Sequence, residues 1–196
     1  MRNISPALLY TIKRYFVDLI DICKEKALPS FLVSAPDYIK FHIMSDLYLH
    51  HLTTCFVFEG VDRSFLIQLT TRLERYIYFP GNYITEQGDV DQNMYFVQEG
   101  EVYCLEKDAN FPALERPVNV YSKDEFFGIL QGIFPYYPHT YTHRARILTV
   151  ILTLNFHHWD DMRKANPDIA EMIYTKVSQK GSYANDIYNN YASQNV

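Results

Sequence analysis

Basic residues are in the minority in this chain: 18 Lys and Arg against 23 Asp and Glu leave a formal net charge of −5. A nucleic-acid binder carries a basic footprint, and this balance weighs against one. Long apolar runs are missing as well. The longest, Leu148–Leu154, falls far short of the roughly 20 residues a membrane helix needs. Met1–Pro6 holds one arginine and leads into no apolar h-region, so no secretory leader is expected. Cysteine is scarce. Cys23, Cys55 and Cys104 are an odd number without paired spacing, which reads as reduced, buried thiols and not as a disulfide framework. Gly-x-Ser-x-Gly, His-Glu-x-x-His and P-loop signatures are all absent, so nothing points to an enzyme. Seven histidines raise the question of a metal. His139 and His143 are four apart, a spacing not expected to converge on a strand, and His50-His51 and His157-His158 are adjacent pairs expected to point apart on helices. No metal site is expected.

What is present is a core. Apolar residues make up 48% of the 196 positions, enough for one domain with an appendage. The chain changes texture near residue 60 and again near 156. Tyr10 to Cys23 carries Ile12, Phe16, Leu19, Ile20 and Cys23 at helical spacing. Ser34-Ala35-Pro36-Asp37 reads as a helix start, with Ser34 as cap, followed by a stripe of Ile39, Ile43, Met44, Leu47 and Thr54 or Leu52. A further helix fits Asp62 as cap through Glu74, with Phe65, Leu66, Leu69 and Leu73 on one face. From Tyr76 short aromatic and β-branched runs alternate with turn signals: Tyr76–Phe79, Tyr83–Glu86, Met94–Val97, Val102–Leu105, Val118–Tyr121, Arg144–Arg146 and Leu148–Leu154. That spacing predicts an antiparallel sandwich or barrel, with the last strand covered on both sides. Helices return after Asn155, a cap, and Pro167 is placed to open the final one. Tyr183, Ile187, Tyr188 and Tyr191 keep a helical spacing in the polar tail.

Several motifs coincide. Pro80-Gly81-Asn82-Tyr83-Ile84 is followed by Gly88-Asp89, by Met94-Tyr95-Phe96-Val97-Gln98-Glu99-Gly100-Glu101-Val102, by Phe126-Phe127-Gly128, and by Arg144-Ala145, Leu152, Leu154 and Pro167. This set resembles the cyclic nucleotide-binding domain, most closely the version in hyperpolarisation-activated, cyclic nucleotide-gated and ether-à-go-go channels. The resemblance implies an α+β fold: an antiparallel, jelly-roll-like roll of eight strands, flanked by N-terminal helices and two C-terminal helices. It implies a C-linker-like helical segment over 1–58 and a cyclic nucleotide-binding-like domain over 59–196, with the roll at 76–154 and closing helices at 156–192. Gly81, Gly88 and Gly100 fall where tight turns want positive φ, and Gly128 where backbone would approach a ligand closely.

In the family a phosphate-binding cassette reads Phe-Gly-Glu, a short helix, then Arg-Thr-Ala or Arg-Ser-Ala. The arginine pairs with the cyclic phosphate and the glutamate accepts from the ribose. The corresponding stretch here comprises Phe127, Gly128, Ile129 and Leu130, then His139, Thr140 and Tyr141. Ile129 stands at the place of the glutamate and His139 at that of the arginine. A charge-assisted hydrogen bond contributes about 1.5–3 kcal/mol, so losing two weakens binding by about two to four powers of ten. Arg144 and Arg146 share one strand face, away from Ala145, and are not read as substitutes. Lys180 is the candidate cap over the purine. Tyr136 and Tyr137 in the cassette, or Tyr183, Tyr188 and Tyr191 in the tail, are candidates to fill the pocket.

The resemblance then implies a cytoplasmic regulatory domain of an ion channel with a degenerate pocket and no cofactor, cyclic AMP and cyclic GMP being disfavoured. The alternative is a working cyclic AMP or cyclic GMP sensor of a channel or soluble receptor. Implied partners are other channel subunits, as a homo- or hetero-oligomer, and a protein regulator. Nucleic acid is not among them, and the membrane is reached only through an upstream pore domain.

Overall fold

The computed structural model describes residues 5–6, 8–10, 13–14, 36–108 and 114–180. The chain divides into two compact units, Met1–Lys40 and Phe41–Val196. Residues 41–58, read from sequence as linker-like, fall in the second unit with the roll.

Helix α1 spans Asp37–Thr53. Its buried residues are Tyr48, Leu49, His51 and Leu52, all in its last turns. The expected stripe is corrected in part: Leu52 is buried, but Leu47 and Thr54 are exposed, and Ile39, Ile43 and Met44 are only half-buried. The apolar residues of the first turns lie all round the helix, so periodicity could not single out the face that the domain covers. The start assigned to Ser34 lies outside the described residues, as do Cys23 and most of the first expected helix. A 3₁₀ turn, Phe56–Phe58, follows. Helix α2, Arg63–Thr70, is capped as expected: Asp62 Oδ2 accepts from the backbone N–H of Ser64 at 2.8 Å and Phe65 at 3.2 Å. It ends at Thr70 and not at Glu74, because Glu74 already pairs with Thr153 in the sheet.

Eight strands follow, all paired antiparallel: β1 Glu74–Tyr78, β2 Tyr83–Thr85, β3 Asn93–Glu99, β4 Val102–Lys107, β5 Glu115–Tyr121, β6 Phe126–Phe127, β7 Thr142–Ala145 and β8 Thr149–Asn155. They form two four-stranded sheets, β1-β8-β3-β6 and β2-β7-β4-β5. The α+β roll expected from the motifs is therefore present. β8 is central and buried along Thr149–Leu154, as its unbroken apolar run required. β6 was not legible as a strand, being two residues long. β7 begins two residues earlier than expected and leaves Arg146 outside, its N–H donating to Glu101 O at 2.8 Å.

Alternation on β3 sorts the core into two layers. Tyr95 and Val97 point between the sheets, with Val102, Phe127 and Ile151. Met94 and Phe96 point the other way, with Leu152 and Leu154, into a larger cluster built from α2, Phe58, Trp159 and the last helix. The β3–β4 turn needs Gly100: its φ is +90°, and a Cβ there would lie 2.5 Å from Leu148 O. Helix α3, Ile129–Ile133, interrupts the roll between β6 and β7. The chain closes with α4, Phe156–Ala165, and α5, Pro167–Lys180. Asn155 caps α4 through an N–H of His157 at 3.0 Å, and Pro167 opens α5, both as expected.

Candidate ligand pocket

Phe126-Phe127 pairs with Tyr95-Phe96 and delivers the chain to Gly128, whose φ of +70° turns it into α3. The close approach that makes Gly128 necessary is to β3. A Cβ would lie 2.8 Å from both Asn93 O and the Tyr95 ring. Gly128 also lines the cavity described next.

Between α3, the segment after it and the inter-sheet layer lies a cavity of about 770 Å³. Phe127, Gly128, Ile129, Leu130, His139, Thr140 and Tyr141 all line it, so the structure gathers the whole cassette at one site. Phe56, Tyr121, Gln131, His143 and Val177 line it too; of these five only His143 drew notice in the sequence, as a metal ligand to be weighed and not as a pocket residue. They come from the 3₁₀ turn, β5, α3, β7 and α5, and only the fold brings them together. Of the pocket-filling candidates, Tyr137 lines the cavity. Tyr136 does not: it is 80% exposed, at a φ of +71° that turns it to solvent. Tyr183, Tyr188, Tyr191 and the side chain of Lys180 lie outside the described residues.

Ile129 is buried and joins the larger core cluster, offering methyl groups where a sugar would need an acceptor. His139 is held on three sides. Its N–H donates to Asp89 O at 2.8 Å, its carbonyl accepts from the Gly88 N–H at 2.8 Å, and its Nε2 sits 3.0 Å from Asp91 Oδ1. Its side chain is 1% exposed. Asp91 accepts also from the Tyr95 hydroxyl and from the Asn93 N–H at 3.1 Å. Burial alone would raise the Asp91 carboxyl, but these donors and the His139 ring outweigh it and hold the group below its usual range. An ionised carboxylate only accepts, so His139 Nε2 carries the proton in that bond. Burial and the adjacent Asp91 charge together push the Tyr95 phenol up.

His143 stacks on Phe127 with centroids 4.2 Å apart, and its Nδ1 is 2.7 Å from Thr85 Oγ1. Burial, and then the neighbouring His139, push it down to about 3, against an opposing pull from Asp91. It is uncharged at neutral pH. The His139 and His143 rings meet edge to face at 5.7 Å, which corrects the expectation that they would not converge. The strand starts only at Thr142, so strand geometry does not govern His139. His50 and His51 also fail to point apart: both reach the turn at Asp124, 3.6 and 2.9 Å from its carboxylate, the latter without hydrogen-bonding alignment. Among the described residues no group of three or more His, Cys, Asp and Glu is placed to hold a metal ion.

Neither Arg144 nor Arg146 lines the cavity: Arg144 lies on β7 next to the lining residue His143 and so on the opposite face, and Arg146 follows the strand's end. Arg146 Nη1 donates to Glu101 Oε2 at 2.8 Å, and Arg144 lies 3.6 Å from Glu115 and over the Tyr83 ring. Cys55 and Cys104 are buried. Among the described residues lining the cavity there is no Lys, Arg, Asp or Glu.

No family model matches the chain. It is 30% identical over 77 residues to the cyclic nucleotide-gated channel alpha-3 of Homo sapiens, covering 39% of this chain and 11% of that protein. It is 26% identical over 107 residues to the cyclic nucleotide-gated channel rod photoreceptor subunit alpha of Gallus gallus, covering 55% and 17%. The chain thus spans less than a fifth of the length of the curated relatives it matches. Among solved structures, the N-terminal domain of a transcriptional regulator from Streptomyces coelicolor A3(2) superposes with a TM-score of 0.61 at 21% identity, covering 69% of this chain and 93% of that one. Among the described residues no helix is long and apolar enough to cross a membrane. Motifs, sequence likeness and eight-stranded roll agree that this chain carries a domain of the cyclic nucleotide-binding type.

Proposed function

We propose that the chain is a regulatory domain of an ion channel, lying on the cytoplasmic side of a membrane, whose cassette has lost cyclic nucleotide binding. Its output is mechanical: the position of the last helix against the roll is passed to the N-terminal helices and so to gating or subunit assembly. The partners are other subunits of the channel. The observation that carries the reading is the bond from His139 Nε2 to Asp91 at 3.0 Å. The residue at the place of the family's arginine is already committed to a carboxylate, and that carboxylate adds negative charge where a cyclic phosphate would come. Ile129 meanwhile gives the ribose no acceptor.

Titration with fluorescent cyclic AMP and cyclic GMP tests this. The expected result is no binding at physiological concentrations; a Kd at or below about ten micromolar overturns it. Restoring the pocket needs three changes. Ile129→Glu and His139→Arg supply the family's partners, but Asp91 would neutralise the new guanidinium, so Asp91→Asn must accompany them. The triple variant is expected to bind where the double does not. The likeness to cyclic nucleotide-gated channels favours a second reading, a working cyclic nucleotide sensor, and the same titration of the unaltered protein separates the two.

A further inference from the structure

We infer that the cassette cavity is a binding site for an uncharged, flat aromatic molecule of two or three fused rings. This rests on the reading above, that the pocket lacks a cyclic nucleotide's partners, and adds what the pocket accepts in its place. Three observations carry it. The first is size: about 770 Å³ lies within the range of small-molecule pockets. The second is charge. Among the described residues no formal charge lines the cavity, and His143 is neutral for want of hydration. An anion entering it would exchange water for a wall whose described residues supply no cation, at high cost. Asp91, bonded to the lining residue His139, opposes anions further. A cation gains little from it, because Asp91 already accepts from His139, Tyr95 and Asn93.

The third observation is the shape and chemistry of the walls. Phe127 lies flat between Tyr95, 4.8 Å away at 8°, and His143, 4.2 Å away at 19°, with Tyr121 at 5.3 Å. Of these, Tyr121, Phe127 and His143 line one side of the cavity as an aromatic wall, and Ile129, Leu130 and Val177 supply an aliphatic one. Tyr141, 38% exposed, stands at the rim. A flat aromatic ring gains from stacking beyond the area it buries. Thr140 and Gln131 offer a few polar contacts along its edge, the combination typical of sites that orient a ligand by few hydrogen bonds.

A matched pair isolates the charge. Naphthalene-2-carboxamide and naphthalene-2-carboxylate share a shape and differ in one formal charge. Each is titrated into the ¹⁵N-labelled chain, with affinity from calorimetry and position from amide shifts. The carboxamide is expected to bind about tenfold or more tighter than the carboxylate, with shifts centred on Gly128, Ile129, Thr140 and Tyr141. Thr140→Trp, at an exposed lining position that the fold tolerates, should weaken it about tenfold with an unchanged melting curve. Equal or tighter binding of the carboxylate overturns the inference, as do shifts that map elsewhere, or no binding of the carboxamide at its solubility limit. Cyclic AMP runs in parallel. If neither it nor the carboxamide binds, the ligand class is wrong while the loss of nucleotide binding stands. If cyclic AMP binds, the loss of nucleotide binding is itself wrong.

Discussion

Gly132→Ala sets two effects of opposite sign against each other. Gly132 sits inside α3 with an ordinary backbone, its N–H donating to Gly128 O at 3.0 Å. On propensity alone, alanine in a helix is favoured over glycine by about 1 kcal/mol. Packing opposes this. A Cβ at 132 would lie 2.2 Å from Met94 Cγ, 2.6 Å from Met94 N and 3.0 Å from Asn93 C. The Met94 side chain can swing aside, but it is fully buried in the larger core. The Met94 nitrogen belongs to β3, which is hydrogen-bonded to β8 and β6 and cannot move alone. Forcing one extra methyl into such a contact costs about 1–3 kcal/mol, and a short helix pressed on a central strand belongs at the upper end. The net expectation is a loss of about 1–2 kcal/mol, or a fall of about 2–8 °C in Tm for a chain of this size. Denaturant unfolding of both forms, with equal m-values as the check on two-state behaviour, reads the difference. A neutral or stabilising Gly132→Ala refutes the claim that α3 lies backbone to backbone on β3. The position of the whole cassette would then need revision.

His143, pushed down to about 3 by burial, is neutral in the fold and protonates readily once unfolded, so stability is full above about pH 6.5. It then falls by about 1.4 kcal/mol per pH unit as pH drops toward 3. His143→Phe keeps the stack on Phe127 and should flatten that slope between pH 6 and 4 in denaturant titrations; an unchanged slope assigns the proton to another group, His51 being the other lowered histidine. Tyr136 holds a bulky side chain at φ +71° with 80% exposure, so Tyr136→Asn should stabilise by about 1 kcal/mol, measured by thermal melting. Asn155→Ala removes both the α4 cap and the bond from Nδ2 to Asn93 Oδ1 at 3.0 Å and should cost about 1–2 kcal/mol; a smaller loss means water replaces the cap.

Local chemistry made much of the fold legible. Asp62, Asn155 and Pro167 act at helix starts where their side chains say they should, and the turn glycines between strands take positive φ. The unbroken apolar run of β8 announced a strand covered on both faces. The errors arose where the outcome depends on what lies across the fold. Helix α1 offers apolar residues on several sides, and only the roll decides that Tyr48, Leu49, His51 and Leu52 are covered. The cassette positions were found by motif, and the cavity gathers all of them. Asp91 was not found. It stands 48 residues before His139, in a turn whose Gly88-Asp89 already explained itself as a turn. No periodicity or spacing joins two side chains so far apart.

That pairing bears on what holds the shape of the pocket. A buried histidine with no partner would cost free energy, and a buried carboxylate would cost more. Here each satisfies the other, and Tyr95 completes the set, so the site is held by internal bonds. The backbone of His139 is bonded twice to the Gly88-Asp89 turn, which fixes the segment leaving α3 to the β2–β3 connection. The network therefore separates two roles that a nucleotide would otherwise combine. It holds the cassette exit against the roll through bonds within the chain, and among the described residues it leaves the cavity lining without a formal charge. Breaking it at Asp91 should consequently loosen the cassette exit before it improves binding of any anion. Amide exchange at Gly88 and His139 in Asp91→Asn would show the first effect and cyclic AMP titration the second. Faster exchange without gain of binding is the expected pair of results, because Ile129 and His139 still offer no sugar or phosphate partner.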